Sequence, residues 1–199
     1  MHSLIIHDIS RDTLTCKVFD GDPKTEVTKV KSIKNGDDYN LSAISISTHT
    51  GTHIDAPLHF SDDGSPISKM RLNTFTGKCT VVSVRGILTG EDMDKILAHS
   101  RKKLLLHGNG KAFVTAFAAR VLADSDVAMI GTDAQSIAPE FDENETHKIL
   151  AEAGIAILEN LDLSDISDGD YELFAFPIKL GGLEAAPCRA ILFEQERGL

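Results

Sequence analysis

The sequence predicts an α/β fold in a single domain over residues 1–199, with a mixed β-sheet and helices packed on it. In the middle of the chain, short β-branched runs alternate with helical segments, which is typical of a largely parallel sheet layer covered by helices. Both ends are rich in strands instead, which indicates additional antiparallel or mixed pairing. At 199 residues, with 42% hydrophobic and 25% charged residues, the chain can bury one sizeable core.

Capping signals predict three helices. Thr89 is a suitable N-cap for a helix over 90–100, and Thr115 for an Ala-rich helix over 115–123. A third helix over 143–153 is expected to end at Gly154, because glycine readily adopts the left-handed conformation after a helix. Apolar and β-branched runs predict strands over residues 40–48, 79–85, 103–107, 127–131, 155–159, 171–180 and 189–194.

Composition and charge limit the expected partners and compartment. The formal net charge of −10 argues against nucleic acid as a partner, since nucleic acid binds basic surfaces. No apolar run reaches the length of a membrane span, and the first residues lack the basic and apolar regions of a signal peptide. Cys16, Cys79 and Cys188 are scattered and odd in number, so we expect reduced thiols in a cytoplasmic protein with no membrane partner.

The strongest chemical signal is a histidine-rich segment at residues 49–60. Four candidate ligands occupy odd positions in it: His49, His53, Asp55 and His59. Alternate side chains of an extended chain point to one side, so an extended segment would place all four on one face, while Gly51 and Pro57 disfavour a helix. Imidazole and carboxylate groups are the ligands of catalytic zinc or manganese sites, which keep one position open for water. The alternative is a polar loop whose histidines bond to the backbone.

Two further ligand candidates lie far downstream. Glu159 ends the predicted strand 155–159 and shares a face with Ile155 and Ile157, and a buried carboxylate needs a cation or a hydrogen bond. His147 lies in the first turns of the third predicted helix, on the side of Leu150. Taken alone, a helix histidine is more often solvated or capping, and a strand-end glutamate is more often at the surface.

Residues 49–60, His-Thr-Gly-Thr-His-Ile-Asp-Ala-Pro-Leu-His-Phe, resemble the His-x-Gly-Thr-His-x-Asp-x-Pro-x-His signature of the metal-dependent cyclase hydrolases. That family includes bacterial kynurenine formamidases (arylformamidases) and isatin hydrolase. Residues 154–161, 184–190 and 18–23 are similar to other segments of the family. The resemblance implies the swivelling β/β/α fold, a homodimer or higher homo-oligomer, and a metal site in which Asp55 bridges two ions.

The resemblance also implies a role for each remaining site residue. His49 and His53 would hold one ion and His147 and Glu159 the other, although some relatives work with a single ion. Zn²⁺ is the expected metal, with Mn²⁺ as an alternative. His59 would be the general acid/base rather than a ligand, and the alternative role for it is to orient the bridging aspartate.

The residues expected around the substrate are less specific. Phe19 stands where the family has a polar aromatic residue, and together with Phe60 it could line an apolar pocket. Ala186 and Cys188 stand where Ser and Val are common, so a hydroxyl contribution from that position is lost. Asp133, which follows a buried strand, is either a substrate contact or the cap of a turn.

The function expected from these features is metal-dependent hydrolysis of a C–N bond in a small amide, with aromatic and cyclic amides as candidates. Metal-activated water would attack the carbonyl carbon, and His59 would protonate the leaving amine. One alternative is a hydrolase or cyclase that acts on a lactam, a lactone or another cyclic carbonyl compound. A rival of another class is a metal-stabilised binding domain without turnover, which has no need of an extra unliganded imidazole.

Overall fold

The structure is a computed structural model that describes residues 4–195, and it confirms the predicted α/β class. A mixed sheet of nine strands is accompanied by two small two-stranded sheets and three α-helices within these residues. The strands are β1 (Leu4–Asp8), β2 (Glu26–Lys31), β3 (Leu41–Ser45), β4 (His53–Asp55), β5 (Thr76–Ser83), β6 (Ile87–Leu88), β7 (Lys103–His107), β8 (Phe113–Val114), β9 (Met129–Thr132), β10 (Ala156–Glu159), β11 (Gly169–Phe174), β12 (Ala185–Pro187) and β13 (Ile191–Gln195). The helices are α1 (Gly90–Leu97), α2 (Ala116–Ala123) and α3 (Glu143–Glu152).

The large sheet has a parallel centre and antiparallel flanks. Its strand order is β1-β13-β11-β5-β7-β9-β10-β4-β12, and the four central strands β5, β7, β9 and β10 run parallel to one another. The helices connect successive central strands along the chain, as the alternating sequence pattern predicts. On the outside, β1, β13 and β11 continue from β5, whereas β4 and β12 continue from β10, all by antiparallel pairing.

The central strands are buried on both faces of the sheet. In β7, Leu104 and Leu106 pack in the helix-side core, and Leu105 packs in the opposite core with Ile54 and Leu158. Strands buried on both faces read as continuous apolar runs, which is why the Leu104–Leu106 run predicts this strand well. None of the helices in residues 4–195 combines the length and the apolar character needed to cross a bilayer.

The caps of the helices agree with the local sequence. The Thr89 side chain accepts a hydrogen bond from the Asp92 backbone N–H, and the Asp92 carboxylate accepts one from the Thr89 backbone N–H, which closes a capping box. Thr115 caps α2 by accepting from the Ala118 N–H. Gly154 follows α3 with a φ of 73°, as expected for a glycine that ends a helix.

Several predicted boundaries are wrong. The strand predicted over 171–180 ends at Phe174, because the next N–H bonds to Phe75 and Pro177 has no N–H to donate to a ladder. The strand predicted over 40–48 ends at Ser45, and the helix predicted over 90–100 ends at Leu97. No local pattern predicted five strands of the fold, namely β1, β2, β6, β8 and β12, whereas β4 lies within the segment that was expected to be extended.

Strands β2 and β3 form a separate antiparallel hairpin whose residues are almost all exposed. Val27 and Ile44 are Cα partners across the hairpin, and both side chains are exposed. The hairpin begins after Asp22 and ends before Ser47, and the Ser47 hydroxyl donates a hydrogen bond of 2.7 Å to the Asp22 carboxylate. The hairpin is therefore closed at its base, next to the histidine-rich segment.

Candidate metal centre

The candidate site lies where β4 pairs with β10. In this antiparallel ladder His53 is the Cα partner of Glu159, and Asp55 is the partner of Ile157. Side chains of directly paired residues lie on the same face, so the ladder brings Glu159 next to His53 and Asp55. The intervening Ile54 points to the other face and is fully buried in the core. The three-residue strand thus supplies two polar groups to the site and one apolar anchor to the interior.

The four histidine-segment residues converge, but not along one extended face as the sequence predicts. Only residues 53–55 form a strand, because His49 belongs to a turn and His59 to the 3-10 turn Pro57–His59. Gly51 makes the first bend with a φ of 69°, and a Cβ at this position would lie 2.8 Å from the Thr13 Cα. Two turns that flank a short strand therefore fold all four side chains towards one point.

Short distances join the polar tips of these side chains. Asp55 Oδ1 lies 3.0 Å from His49 Nδ1 and 3.4 Å from His53 Nε2. Glu159 is 3.5 Å from His53 Nε2 through Oε2 and 3.4 Å from His147 Nε2 through Oε1. The two carboxylates thus connect three imidazoles that come from three different elements of the fold.

Asp55 is common to both tight groupings of possible ligand atoms. In one grouping it lies with His49 and His59, and in the other with His53 and Glu159. His147, from α3, reaches the second grouping through Glu159. The resemblance pairs the histidines differently between the two ions, and that division, like the ligand roles themselves, stays a prediction.

In two of the imidazoles, the ring nitrogen that points away from the carboxylates is hydrogen-bonded to a backbone carbonyl. His53 Nδ1 lies 2.9 Å from the Gly51 carbonyl, and His147 Nδ1 lies 2.8 Å from the Glu143 carbonyl. A neutral imidazole has one N–H donor and one lone pair, so an Nδ1–H bonded to a carbonyl leaves the lone pair on Nε2. In both residues Nε2 faces the carboxylates, which is the arrangement of a metal-ligating histidine.

The buried groups fit a cation. Asp55 and Glu159 are only 2% and 4% exposed. Asp55 Oδ1 and His53 Nε2 are buried without a hydrogen-bond partner among the described residues. Two neighbouring buried carboxylates are costly unless positive charge compensates them, and the mixed nitrogen and oxygen donors suit Zn²⁺ or Mn²⁺. The donor set therefore fits a divalent metal.

Without a cation, protons take its place on the imidazoles. Burial disfavours the charged form of His49, but the nearby carboxylates of Asp55, Glu159 and Glu184 together outweigh burial and raise the pKa of His49 to about 9. Burial likewise opposes charge on His147, and the hydrogen bond with Glu159 raises its pKa to about 9. The pKa values of the two carboxyl groups are lowered, because the facing imidazoles outweigh the effect of burial. His59 differs, since burial holds its pKa below the usual value.

A cavity of about 250 Å³ opens over these groups. Both predicted substrate residues, Phe19 and Phe60, line it. The Phe60 ring stacks on the His147 ring at 4.6 Å between centroids and meets the His59 ring edge-on at 4.4 Å. Four polar side chains to which the sequence assigned no role also line the cavity: Gln135, Ser136, Glu143 and Asn144.

Asp133 and Cys188 do not line this cavity. The Asp133 carboxylate accepts hydrogen bonds from the Gly108 N–H at 3.0 and 3.1 Å, which is the turn-capping alternative. Cys188 packs against the core, and burial raises the pKa of its thiol to about 12. A thiol with such a pKa is inert as a nucleophile at neutral pH.

Asn160 is a supporting residue that the sequence analysis missed. It follows Glu159 directly and has a φ of 60°, a left-handed conformation that asparagine tolerates better than most residues. Its side-chain amide donates to the Gly51 carbonyl at 3.3 Å, the same oxygen that accepts from His53. The sequence signal that could have indicated this role is the position of Asn160 directly after the glutamate that ends a strand.

Comparisons with known proteins agree with this architecture. The chain matches the profile of a family described as putative cyclase over residues 5–139. A kynurenine formamidase from Delftia acidovorans (strain DSM 14801 / SPH-1) is 36% identical over 188 residues, which cover 88% of this chain and 90% of that protein. A structure described as a potential metal-dependent hydrolase with cyclase activity matches with a TM-score of 0.83 at 31% identity, over 98% of this chain and 100% of the other. Isatin hydrolase A from Labrenzia aggregata has a TM-score of 0.78 at 19% identity, over 97% and 94% of the two chains, and shares the fold.

We predict that a rise in pH lowers the stability of the metal-free protein and raises its affinity for a metal ion. Imidazoles with pKa values raised from 6.5 to about 9 contribute stability that is fully present below pH 6.5 and is lost as pH rises through 9. A cation needs the neutral imidazoles, so its binding becomes stronger over the same interval. Thermal unfolding at pH 6.5 and 8.5, with a chelator and with Zn²⁺, should show a larger zinc-induced rise in Tm at pH 8.5.

The control for this prediction is His99→Ala, because His99 is an exposed histidine beyond the end of α1. This variant should keep the parental pH dependence, whereas His147→Ala should weaken it. A zinc-induced rise in Tm that is equal at the two pH values, or smaller at pH 8.5, would contradict the prediction.

Proposed function

The chain is a hydrolase that belongs to the cyclase family, and on this premise we propose that it cleaves the C–N bond of a small amide with one or two divalent cations. The observation that carries the proposal is the pair of buried carboxylates, Asp55 and Glu159, facing three imidazoles at 3.0 to 3.5 Å. The likeness to a kynurenine formamidase supports a formamide or a related aromatic amide as the substrate.

Five side chains are proposed to hold the metal: His49, His53, Asp55, His147 and Glu159. Zn²⁺ is the proposed ion and Mn²⁺ the second choice, because both accept imidazole and carboxylate ligands. When bound, such an ion supplies a water whose pKa falls from about 16 to about 7, and it polarises a carbonyl oxygen. Asp55, which is common to both ligand groupings, is the proposed bridge if two ions are bound.

His59 is the proposed general acid/base. Its Nε2 lies 4.0 Å from Asp55 Oδ2, and its side chain is 29% exposed towards the cavity. Because burial lowers the pKa of His59, its imidazole is neutral near pH 7 and Nε2 can accept a proton from the attacking water. The same atom then donates that proton to the leaving amine. The position of Asp55 beside the ring favours the protonated state that this transfer requires.

The apolar walls of the cavity suit a small substrate with an aromatic or cyclic part. Phe19 and Phe60 supply these walls, and the carboxylate side chains of the site lie at the base. A lactam, a lactone or another cyclic carbonyl compound remains the second candidate substrate, because its carbonyl carbon would be attacked by the same chemistry.

We predict that His59→Ala keeps the metal but loses turnover. General acid–base catalysis is usually worth about a hundredfold to ten-thousandfold, so kcat should fall by that range. Metal content by elemental analysis and kcat on an N-formyl aromatic amine measure the two effects separately, with His99→Ala as the matched histidine control. Parental turnover by the His59 variant would rule out its acid/base role.

The substrate assignment is tested with a panel of carbonyl compounds. Protein reconstituted with Zn²⁺ or Mn²⁺ is assayed on N-formylkynurenine, simple formanilides and isatin. We expect formamide hydrolysis that a chelator abolishes and His53→Ala eliminates together with metal binding. Turnover of cyclic compounds alone would favour the second candidate, and stoichiometric metal without any turnover would favour a binding domain.

We also propose a cytoplasmic homodimer assembled through the β2–β3 hairpin. An isolated two-stranded hairpin is marginally stable in water, so a covering partner would stabilise it. The segment 24–34 carries four lysines and one glutamate in a chain of net charge −10, which favours contact with an acidic second copy. The free cysteines agree with a reducing compartment.

The hairpin proposal predicts a mass near twice 21.5 kDa for the parental protein in light scattering. The double variant Val27→Asp, Ile44→Asp should elute as a monomer, because both apolar side chains would be lost from the contact. Leu72→Asp is the matched control, since Leu72 is an exposed apolar residue outside the hairpin. A monomeric parent, or an unchanged mass of the double variant, would refute the proposal.

A further inference from the structure

Among the three imidazoles proposed as ligands, His49 faces the carboxylates through a different ring nitrogen from the other two. His53 and His147 face the carboxylates through Nε2, whereas His49 faces Asp55 through Nδ1, at 3.0 Å. The outward atom of His49 is therefore Nε2, and no backbone carbonyl accepts from it among the described residues. Instead, Nε2 lies 3.5 Å from the Glu184 Oε1 atom.

Glu184 is positioned by its backbone and by one neighbouring hydroxyl. It lies directly before β12, the strand that pairs with β4, and its carbonyl accepts a hydrogen bond of 2.8 Å from the Ala56 N–H. The Thr48 hydroxyl donates to Glu184 Oε1 at 2.5 Å. No lysine or arginine in residues 4–195 forms an ion pair with this carboxylate. Its fixed partners are thus a hydroxyl and an imidazole, and its backbone is tied to the end of the strand that carries Asp55.

The His49 ring lies between two carboxylates that compete for its proton. If Asp55 held the proton on Nδ1, the nitrogen that faces the site would have no lone pair for a metal. An acceptor at Nε2 stabilises the other tautomer, in which Nε2 carries the hydrogen and Nδ1 carries the lone pair. Glu184 is placed to be that acceptor, and its oxygens belong to neither tight grouping of possible ligand atoms.

We propose that Glu184 is a positioning residue that accepts the His49 Nε2–H and so directs the Nδ1 lone pair to the metal, with Thr48 holding the carboxylate in place. The inference rests on the proposed metal-dependent function. In many metal sites a carboxylate fixes the tautomer and the ring orientation of a ligating histidine in this manner. Nothing in the sequence pattern of residues 49–60 indicates this partner, because it comes from the far end of the chain.

Zinc affinity, measured by competition with a chromophoric chelator at constant pH, tests the proposal. Glu184→Ala should bind Zn²⁺ about 10- to 100-fold more weakly, the range found when such partners are removed. Glu184→Gln should show a smaller loss, because its amide oxygen can still accept the Nε2–H. Thr48→Val should also weaken binding, since it releases the carboxylate. Glu91→Ala and Glu91→Gln, at an exposed glutamate of α1, are the matched controls.

A second readout is the tautomer itself. Long-range ¹H–¹⁵N NMR of the zinc-loaded parent should show His49 protonated on Nε2 and ligated through Nδ1, with the opposite pattern in His53 and His147. In Glu184→Ala, His49 should no longer be held in the single tautomer protonated on Nε2. His53 and His147 should keep their hydrogen on Nδ1. A purely structural role of Glu184 would not alter one histidine selectively.

The outcomes separate this inference from the proposed function. A parent that binds no zinc would overturn the proposed function and this inference with it. A parent that binds zinc while Glu184→Ala binds it equally well would overturn only the role of Glu184, and so would equal losses in Glu184→Gln and Glu184→Ala. If Glu184→Ala does not fold, parental zinc affinity in both Glu184→Gln and Thr48→Val overturns the role.

Discussion

Two buried carboxylates that face the same point, Asp55 and Glu159, set the requirement that the other parts of the site meet. Neither is more than 4% exposed, and neither has a lysine or arginine partner among the described residues. Burial of like charges is tolerated only with compensating positive charge. Imidazoles, with protons or with a metal, provide that charge here. The orientations of the histidines meet this requirement, since each imidazole turns a nitrogen towards a carboxylate.

The centre of the fold could be predicted because its signals are local. Thr89 and Thr115 cap their helices, and the Leu104–Leu106 run is continuous because its strand is buried on both faces. Strands β2 and β12 gave no such signal. Strand β12 has three residues and exists through its pairing with β4, and β2 lacks a buried face to produce a period of two. Their identity depends on partners that are distant in sequence.

The site was predictable as a set of residues but not as a geometry. Close spacing in the chain indicated the candidate ligands within residues 49–59, yet the extended strand assumed for them covers only His53–Asp55. The turns that complete the convergence depend on Gly51 and its close approach to Thr13. Asn160 and Glu184 were assigned no role, because each contacts a backbone or ring atom across the fold that the sequence does not place.

The pairing of β4 with β10 has a consequence for how the protein matures. More than half of the chain lies between His53 and Glu159, although the two are neighbours in the sheet. Contacts of such long sequence separation carry a large loop-closure entropy and slow the folding reaction. During synthesis on a ribosome, the proposed ligand set cannot assemble until the second half of the chain has emerged. An ion captured then would act as a reversible cross-link, joining the two halves of the polypeptide and retarding their separation.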